Sequence, residues 1–117
     1  MFIEVLKSKI GHALITQAEL HYEGSITIDA DVLKAAGILP GEKVHVLNEN
    51  TGDRLETYVI AGNPGSGVIC LNGPAARQGY VGDPLIILSY ALVEPGEAKG
   101  FQPKVVYLDA KNKIKKK

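Results

Sequence analysis

The sequence predicts an all-β fold, a small barrel or sandwich of seven or eight short strands. Three observations lead there. Apolar and polar residues alternate with a period of two along much of the chain, as in Ser25-Ile26-Thr27-Ile28 and Val44-His45-Val46. Thirteen glycines and six prolines among 117 residues break the chain at short intervals, which favours turns over long helices. Helical spacing is confined to one short stretch, Val32-Leu33-Lys34-Ala35-Ala36.

The elements follow in order. Phe2 to Leu6 reads as a first strand and Ala13 to Ala18 as a second. Ser25-Ile26-Thr27-Ile28 is a β-branched strand. Asp29-Ala30-Asp31 then supplies an acidic N-cap for a two-turn helix, and Gly37 stops it. Pro40-Gly41 is a turn, and Lys43 to Leu47 alternates into a strand. Asn50-Thr51-Gly52-Asp53 is a hairpin-like turn, and Arg54 to Ala61 returns from it. Asn63 to Gly67 is a loop, Val68 to Leu71 a strand, and Asn72 to Arg77 a turn or single helical turn. Leu85 to Tyr90 and Lys104 to Asp109 are the last strands.

One internal echo bears on topology. Ile38 to Leu47 matches Gly79 to Leu88 at a spacing of 41, each a Gly-acid turn leading into an apolar strand, with Ala35 and Ala76 ahead of them. This fits a barrel of two pseudo-symmetric halves. Side chains fill the interior of a barrel this small, so an active site belongs on the rim or between subunits.

Composition narrows the function classes. Hydrophobic residues make up 45% and charged residues 22%, which excludes a wholly disordered chain. The length is that of one domain, expected over residues 1–110. Five of the thirteen basic residues are lysines at 111–117, read as a basic, flexible tail. The remaining 8 basic and 13 acidic groups leave residues 1–110 at −5, against a nucleic-acid surface. No apolar run is long enough to span a membrane, and Glu4 interrupts any signal-peptide core. The single cysteine, Cys70, excludes an internal disulfide and a cysteine-based zinc site, and is read as a core residue. His12, His21 and His45 lack metal-ligand spacing, so no metal is expected. The expected location is the cytoplasm.

The informative stretch is His21 to Asp29. Gly24-Ser25 ahead of a strand is a turn by propensity alone. It also permits chemistry. A serine hydroxyl can attack the preceding carbonyl when the backbone holds the two together, and a glycine there tolerates the strained torsions. The peptide becomes an ester, elimination of the ester follows, and hydrolysis leaves a ketone on residue 25, a built-in electrophile.

Four motifs carry a resemblance to a known family: Tyr22-x-Gly24-Ser25 followed by Ile-Thr-Ile-Asp; Asn50-x-Gly52-x-Arg54-x-x-Thr57-Tyr58; Asn72-Gly73-Pro74-Ala75-Ala76-Arg77; and Val81-Gly82-Asp83 with its apolar strand. The chain resembles the pyruvoyl-dependent aspartate 1-decarboxylases nearly from end to end. The resemblance implies a six-stranded double-psi β-barrel with one or two short helices. It implies self-cleavage between Gly24 and Ser25 into chains 1–24 and 25–117, and a pyruvoyl group derived from Ser25. The activity implied is decarboxylation of L-aspartate to β-alanine and CO2 for pantothenate and coenzyme A synthesis, by a homotetramer with sites between subunits. A maturation helper is left open.

The resemblance also implies roles. Ser25 forms the Schiff base with substrate and Tyr58 donates the proton. Thr57 serves self-processing and substrate. Lys9, Arg54, Asn72, Gly73, Pro74 and Ala75 bind substrate, and Tyr22 assists cleavage or lines the pocket. Arg54 is a bidentate carboxylate clamp by chemistry, and which of Lys9 and Arg54 holds which carboxylate stays open. Two departures stand out. The family has histidine at position 11, where this chain has Gly11 followed by His12; either a bulge restores the histidine or the site lacks it. Pro74 stands where alanine is common and removes a backbone N–H.

A competing reading is that Ile26 to Val44 also resembles swapped-hairpin DNA-binding regulators of the AbrB type. It leaves Arg54 to Arg77 unexplained, and Asp29 and Asp31 are unfavourable beside phosphates. A third is a decarboxylase-like barrel that does not process.

Overall fold

A computed structural model describes residues 1–115. The elements are β1 (Ile3–Leu14), β2 (Gln17–Glu19), β3 (Ser25–Asp29), α1 (Ala30–Ala36), β4 (Lys43–Asn48), β5 (Arg54–Gly62), β6 (Ile69–Asn72), a 3-10 helix (Gly73–Gln78), β7 (Pro84–Val93), α2 (Pro95–Ala98) and β8 (Lys104–Tyr107). Their order in the sheet is β2-β6-β3-β5-β4-β7-β1-β8. β1 and β2 are two parts of one path. Ile15 N donates to Asp83 O at the start of β7, and the next amide, Thr16 N, donates to Ile69 O on β6. The path crosses from β7 to β6 and closes the sheet into a six-stranded barrel, with β8 lying outside along β1.

The echo at a spacing of 41 is structural. The path β1–β2 corresponds to β5, β3 to β6, and β4 to β7. Antiparallel β1·β7 repeats as β5·β4, and parallel β2·β6 repeats as β5·β3. The turns superimpose in kind. Gly41 (φ +86°) donates to Val59 O, and Gly82 (φ +94°) donates to Ile15 O. Glu42 and Asp83 reach back to the amides of Leu39 and Tyr80. Positive φ explains why both turns carry glycine. Each parallel pair joins a strand of one half to a strand of the other, which interlocks the halves as a double-psi barrel.

Alternation delivers the core. Ile10, Ile26, Ile28, Val44, Val46, Val59, Ile69, Leu71, Leu85 and Ile87 point inward and are essentially inaccessible. Helix α1 closes one end with Val32, Leu33 and Ala36 buried. Asp29 caps it by accepting from Asp31 N at 2.8 Å, and Gly37 ends it in the left-handed conformation at φ 70°.

Two expectations are corrected. The first two strands are not separate at Leu6: β1 runs unbroken from Ile3 to Leu14. Its alternation is interrupted by a bulge, because Ile10 to Ala13 on β1 spans only Ile87 to Leu85 on β7. The tail does not begin at residue 111. Asn112 is buried; its Nδ2 donates to Leu14 O and Gly67 O and its Oδ1 accepts from Leu14 N, while Ile114 bridges back to Leu108. Lysines on either side masked one buried amide. Lys116 and Lys117 lie outside the described residues.

Candidate active site

The register of β3 against β6 builds the centre of the site. Ser25 lies opposite Asn72, and Thr27 lies opposite Cys70. Period two puts all four side chains on one face. Asn72 Nδ2 donates to Ser25 Oγ at 3.0 Å and to Thr27 Oγ1 at 2.9 Å. Asn72 Oδ1 faces Cys70 Sγ at 3.2 Å. Ser25 is fully buried, and its hydroxyl donates to Glu23 O at 3.3 Å. Burial pushes the Cys70 thiol up, as does the charge of Glu19, against a backbone hydrogen bond from Glu19. The thiol is therefore protonated and donates S–H to the amide oxygen.

The 3-10 helix fixes the loop before Ser25. Gly73 adopts φ +65°, and a Cβ there would fall 2.5 Å from Tyr22 O and 2.8 Å from Gly24 N. Only glycine admits this approach. Pro74 is in the first turn of the 3-10 helix, where an amide hydrogen has no helical partner, so its missing N–H costs the fold nothing. Its ring edge comes within 3.6 Å of where a Cβ on Gly24 would lie.

On the other side, the parallel pairing of Ile26 with Val59 sets Ser25 level with Tyr58. A cleft of about 450 Å³ opens there, lined by Gly24, Thr57, Tyr58, Pro74 and Ala75 among others. Gly24, Ser25, Thr57, Tyr58, Asn72, Gly73, Pro74 and Ala75 are thus gathered in one place. Tyr22 contributes its backbone to the loop, and its side chain is exposed.

Lys9, Arg54 and His12 lie elsewhere, and none lines that cleft. Lys9 sits on β1 between Leu88 of β7 and Val105 of β8. Arg54 begins β5, four residues and about 13 Å along the strand from Tyr58. It donates from Nε to His45 Nδ1 at 3.3 Å and from Nη2 to Tyr90 Oη at 3.0 Å. His45 Nε2 in turn faces Glu56 at 3.1 Å. His12 occupies the β1 bulge at φ 60°, exposed, its ring 5.2 Å from that of Tyr107. A Cβ on Gly11 would lie 2.7 Å from the Tyr107 ring, so an aromatic side chain fills the space beside position 11. No metal-binding group of three or more His, Cys, Asp or Glu occurs among the described residues.

Thr27 and Cys70 were not singled out by sequence as site residues. The available signal was their spacing of two from Ser25 and Asn72, which becomes informative once β3 and β6 are known to pair.

Fold and site define a class: a small filled barrel with a polar centre on its rim, at a serine where a strand begins. Comparison with known proteins specifies it. The family model described as aspartate decarboxylase matches residues 1–115. A protein named aspartate 1-decarboxylase from Carboxydothermus hydrogenoformans is 58% identical over 116 residues, 99% of this chain and 91% of that one. Those of the same name from Pelotomaculum thermopropionicum (57%; 97% of this chain, 86% of that one) and Phocaeicola vulgatus (56%; 97% and 99%) are as similar. The chain belongs to the aspartate decarboxylase family. The match spans the segment that also resembled a DNA-binding hairpin.

Proposed function

We propose that this chain decarboxylates L-aspartate to β-alanine and CO2 for pantothenate and coenzyme A synthesis, using an electrophile made from its own Ser25. The observation that carries the reading is the buried Ser25 hydroxyl, held by Asn72 at 3.0 Å next to the Gly24 carbonyl.

The processing balances without an outside reagent except water. Ser25 Oγ bonds to the Gly24 carbonyl carbon, the Gly24–Ser25 C–N bond breaks, and the hydroxyl proton passes to the nitrogen. Asn72 donates into Oγ as negative charge develops there. Loss of the Ser25 α-proton expels the Gly24 carboxylate, and water then releases ammonia, leaving a pyruvoyl group at the head of β3. The surroundings fit it: Gly24 and Gly73 bring no side chain to the junction, and the open cleft starts there. That group supplies an electron sink that lets a carboxylate depart as CO2.

The chain's own residues do the rest. Tyr58 stands level with residue 25 on the cleft and holds the proton for the substrate α-carbon on Oη. Thr57 and the Asn72–Ala75 turn bind and orient. A carboxylate that must leave as neutral CO2 gains nothing from a strong ion pair, so Lys9 or Arg54 holds the retained one. Because both lie away from Ser25 within one chain, the reading takes them from a neighbouring subunit, with a homotetramer as the assembly. A single buried cysteine suits a cytoplasmic location. No helix among the described residues is long and apolar enough to cross a membrane.

Denaturing intact mass tests the processing. Wild type should yield residues 1–24 and 25–117, the larger lighter by one ammonia than a peptide beginning with serine. Ser25→Ala should give one uncleaved, inactive chain. Persistent single-mass wild type, or a cleaved Ser25→Ala chain, would overturn it. Conversion of L-aspartate to β-alanine by the processed protein tests the activity.

A further inference from the structure

An asparagine beside a reacting serine can present either end of its amide, and the two ends do opposite things. The N–H₂ end donates to Oγ and stabilises negative charge on it. The carbonyl end sets its own lone pairs against Oγ and repels that charge. Nothing in Asn72 itself selects between them, since the two orientations have nearly the same shape.

One neighbour makes the selection, and a second, whose hydroxyl can accept or donate, holds the amide in place. Cys70 Sγ stands 3.2 Å from Asn72 Oδ1, and Thr27 Oγ1 stands 2.9 Å from Nδ2. Both residues are partnered across the β3–β6 ladder, so the four side chains form a fixed two-by-two patch. Flipping the amide would turn N–H₂ toward the thiol, a weak acceptor, and Oδ1 toward the two hydroxyls. It would remove the S–H donor's nearer partner and leave it only Leu71 O, at 3.9 Å. Cys70 is buried and remains a thiol rather than a thiolate, which keeps the donor present at neutral pH.

We propose that Cys70 and Thr27 are positioning residues for self-processing: the Cys70 S–H selects the orientation of the Asn72 amide in which N–H₂ points at Ser25 Oγ, and Thr27 holds the amide in place. The proposal rests on the reading of Ser25 as the self-cleaving serine. Neither residue touches the reacting atoms; each acts through Asn72.

The test is the rate of appearance of the residue 25–117 fragment, measured by denaturing intact mass from freshly purified precursor. Cys70→Val keeps nearly the same volume and loses the donor. Cys70→Ser keeps a donor. The expected result is processing slowed about tenfold in Cys70→Val, the scale of one hydrogen bond, with Cys70→Ser restored to within a few-fold of wild type. Melting temperatures of the precursors are read in parallel, because lost packing alone would lower stability in both variants without this pattern of rescue. Should Cys70→Val not fold, Thr27→Val asks the same question from the other end of the amide, with Thr27→Ser as its rescue. Equal rates in wild type, Cys70→Val and Thr27→Val would overturn the proposal and leave the Ser25 reading intact. Failure of wild type to cleave would overturn the Ser25 reading itself.

Discussion

Replacing Gly73 by alanine should damage the molecule twice, and the two effects can be separated. The first is conformational. Gly73 sits at φ +65°, where an L-residue is less stable by about 1–2 kcal/mol. The second is steric. The new Cβ would lie 2.5 Å from Tyr22 O, 2.8 Å from Gly24 N and 3.0 Å from Glu23 C. All three atoms are backbone, so the loop must move, at about 1–3 kcal/mol for an overpacked site. Gly52→Ala is the control: φ is +79°, and nothing lies within 4 Å of the added Cβ, so only the conformational part applies. At about 4 °C per kcal/mol for a domain of this size, Gly73→Ala should melt about 4–12 °C below Gly52→Ala at equal protein concentration. The displaced atoms belong to the residues before the cleavage site. Restoring ordinary contact shifts them by about an ångström, and misplacement of that size costs about a hundredfold in rate. Thermal melts and an intact-mass time course measure both effects. A Gly73→Ala chain that melts with Gly52→Ala and cleaves at the wild-type rate would refute the account of Gly73 as the cradle of the loop.

Other substitutions probe different parts. Tyr58→Phe should self-process normally but form β-alanine slowly, and near-normal turnover of the processed variant would remove Tyr58 as the proton donor. Asn112→Ala removes the partner of Leu14 N, Leu14 O and Gly67 O, and should cost about 3 kcal/mol, seen as a fall of about 10 °C in melting; an unchanged melt would mean residues 111–115 contribute no stability. At Asp29, burial raises the carboxyl's pKa, but the amides of Gly67, Asp31 and Gly65, with Lys113 nearby, hold it on balance below the ordinary 3.8. A depressed pKa gives stability that is present above the unfolded value and lost as pH falls through the folded one. Asp29→Asn should therefore melt below wild type at pH 7, with the gap closing below about pH 4. A gap constant with pH would show that the charge contributes nothing.

Where structure is local, the sequence carried it. Alternation in Ser25 to Ile28 and Lys43 to Leu47 determined strands, because each side chain's environment follows from its parity. Asp29 and Gly37 determined both ends of α1 through their own cap chemistry. The echo at a spacing of 41 announced the two halves, since the same turn needs the same glycine and acid. The motifs around Ser25, Tyr58 and Asn72 pointed to the site through their residue types. Register and distance between remote segments were another matter. The bulge at Gly11 and His12 depends on pairing with β7, and the burial of Asn112 depends on Leu14, 98 residues away. Thr27 and Cys70 acquire meaning only because β3 lies antiparallel to β6, which brings Asn72 to a serine 47 positions earlier. The separation of Lys9 from Ser25 likewise follows from the strand order of the barrel, and that of Arg54 from its distance along β5. Propensity acts within a few residues, whereas register is decided by which buried faces fit together, and only the folded chain contains that information.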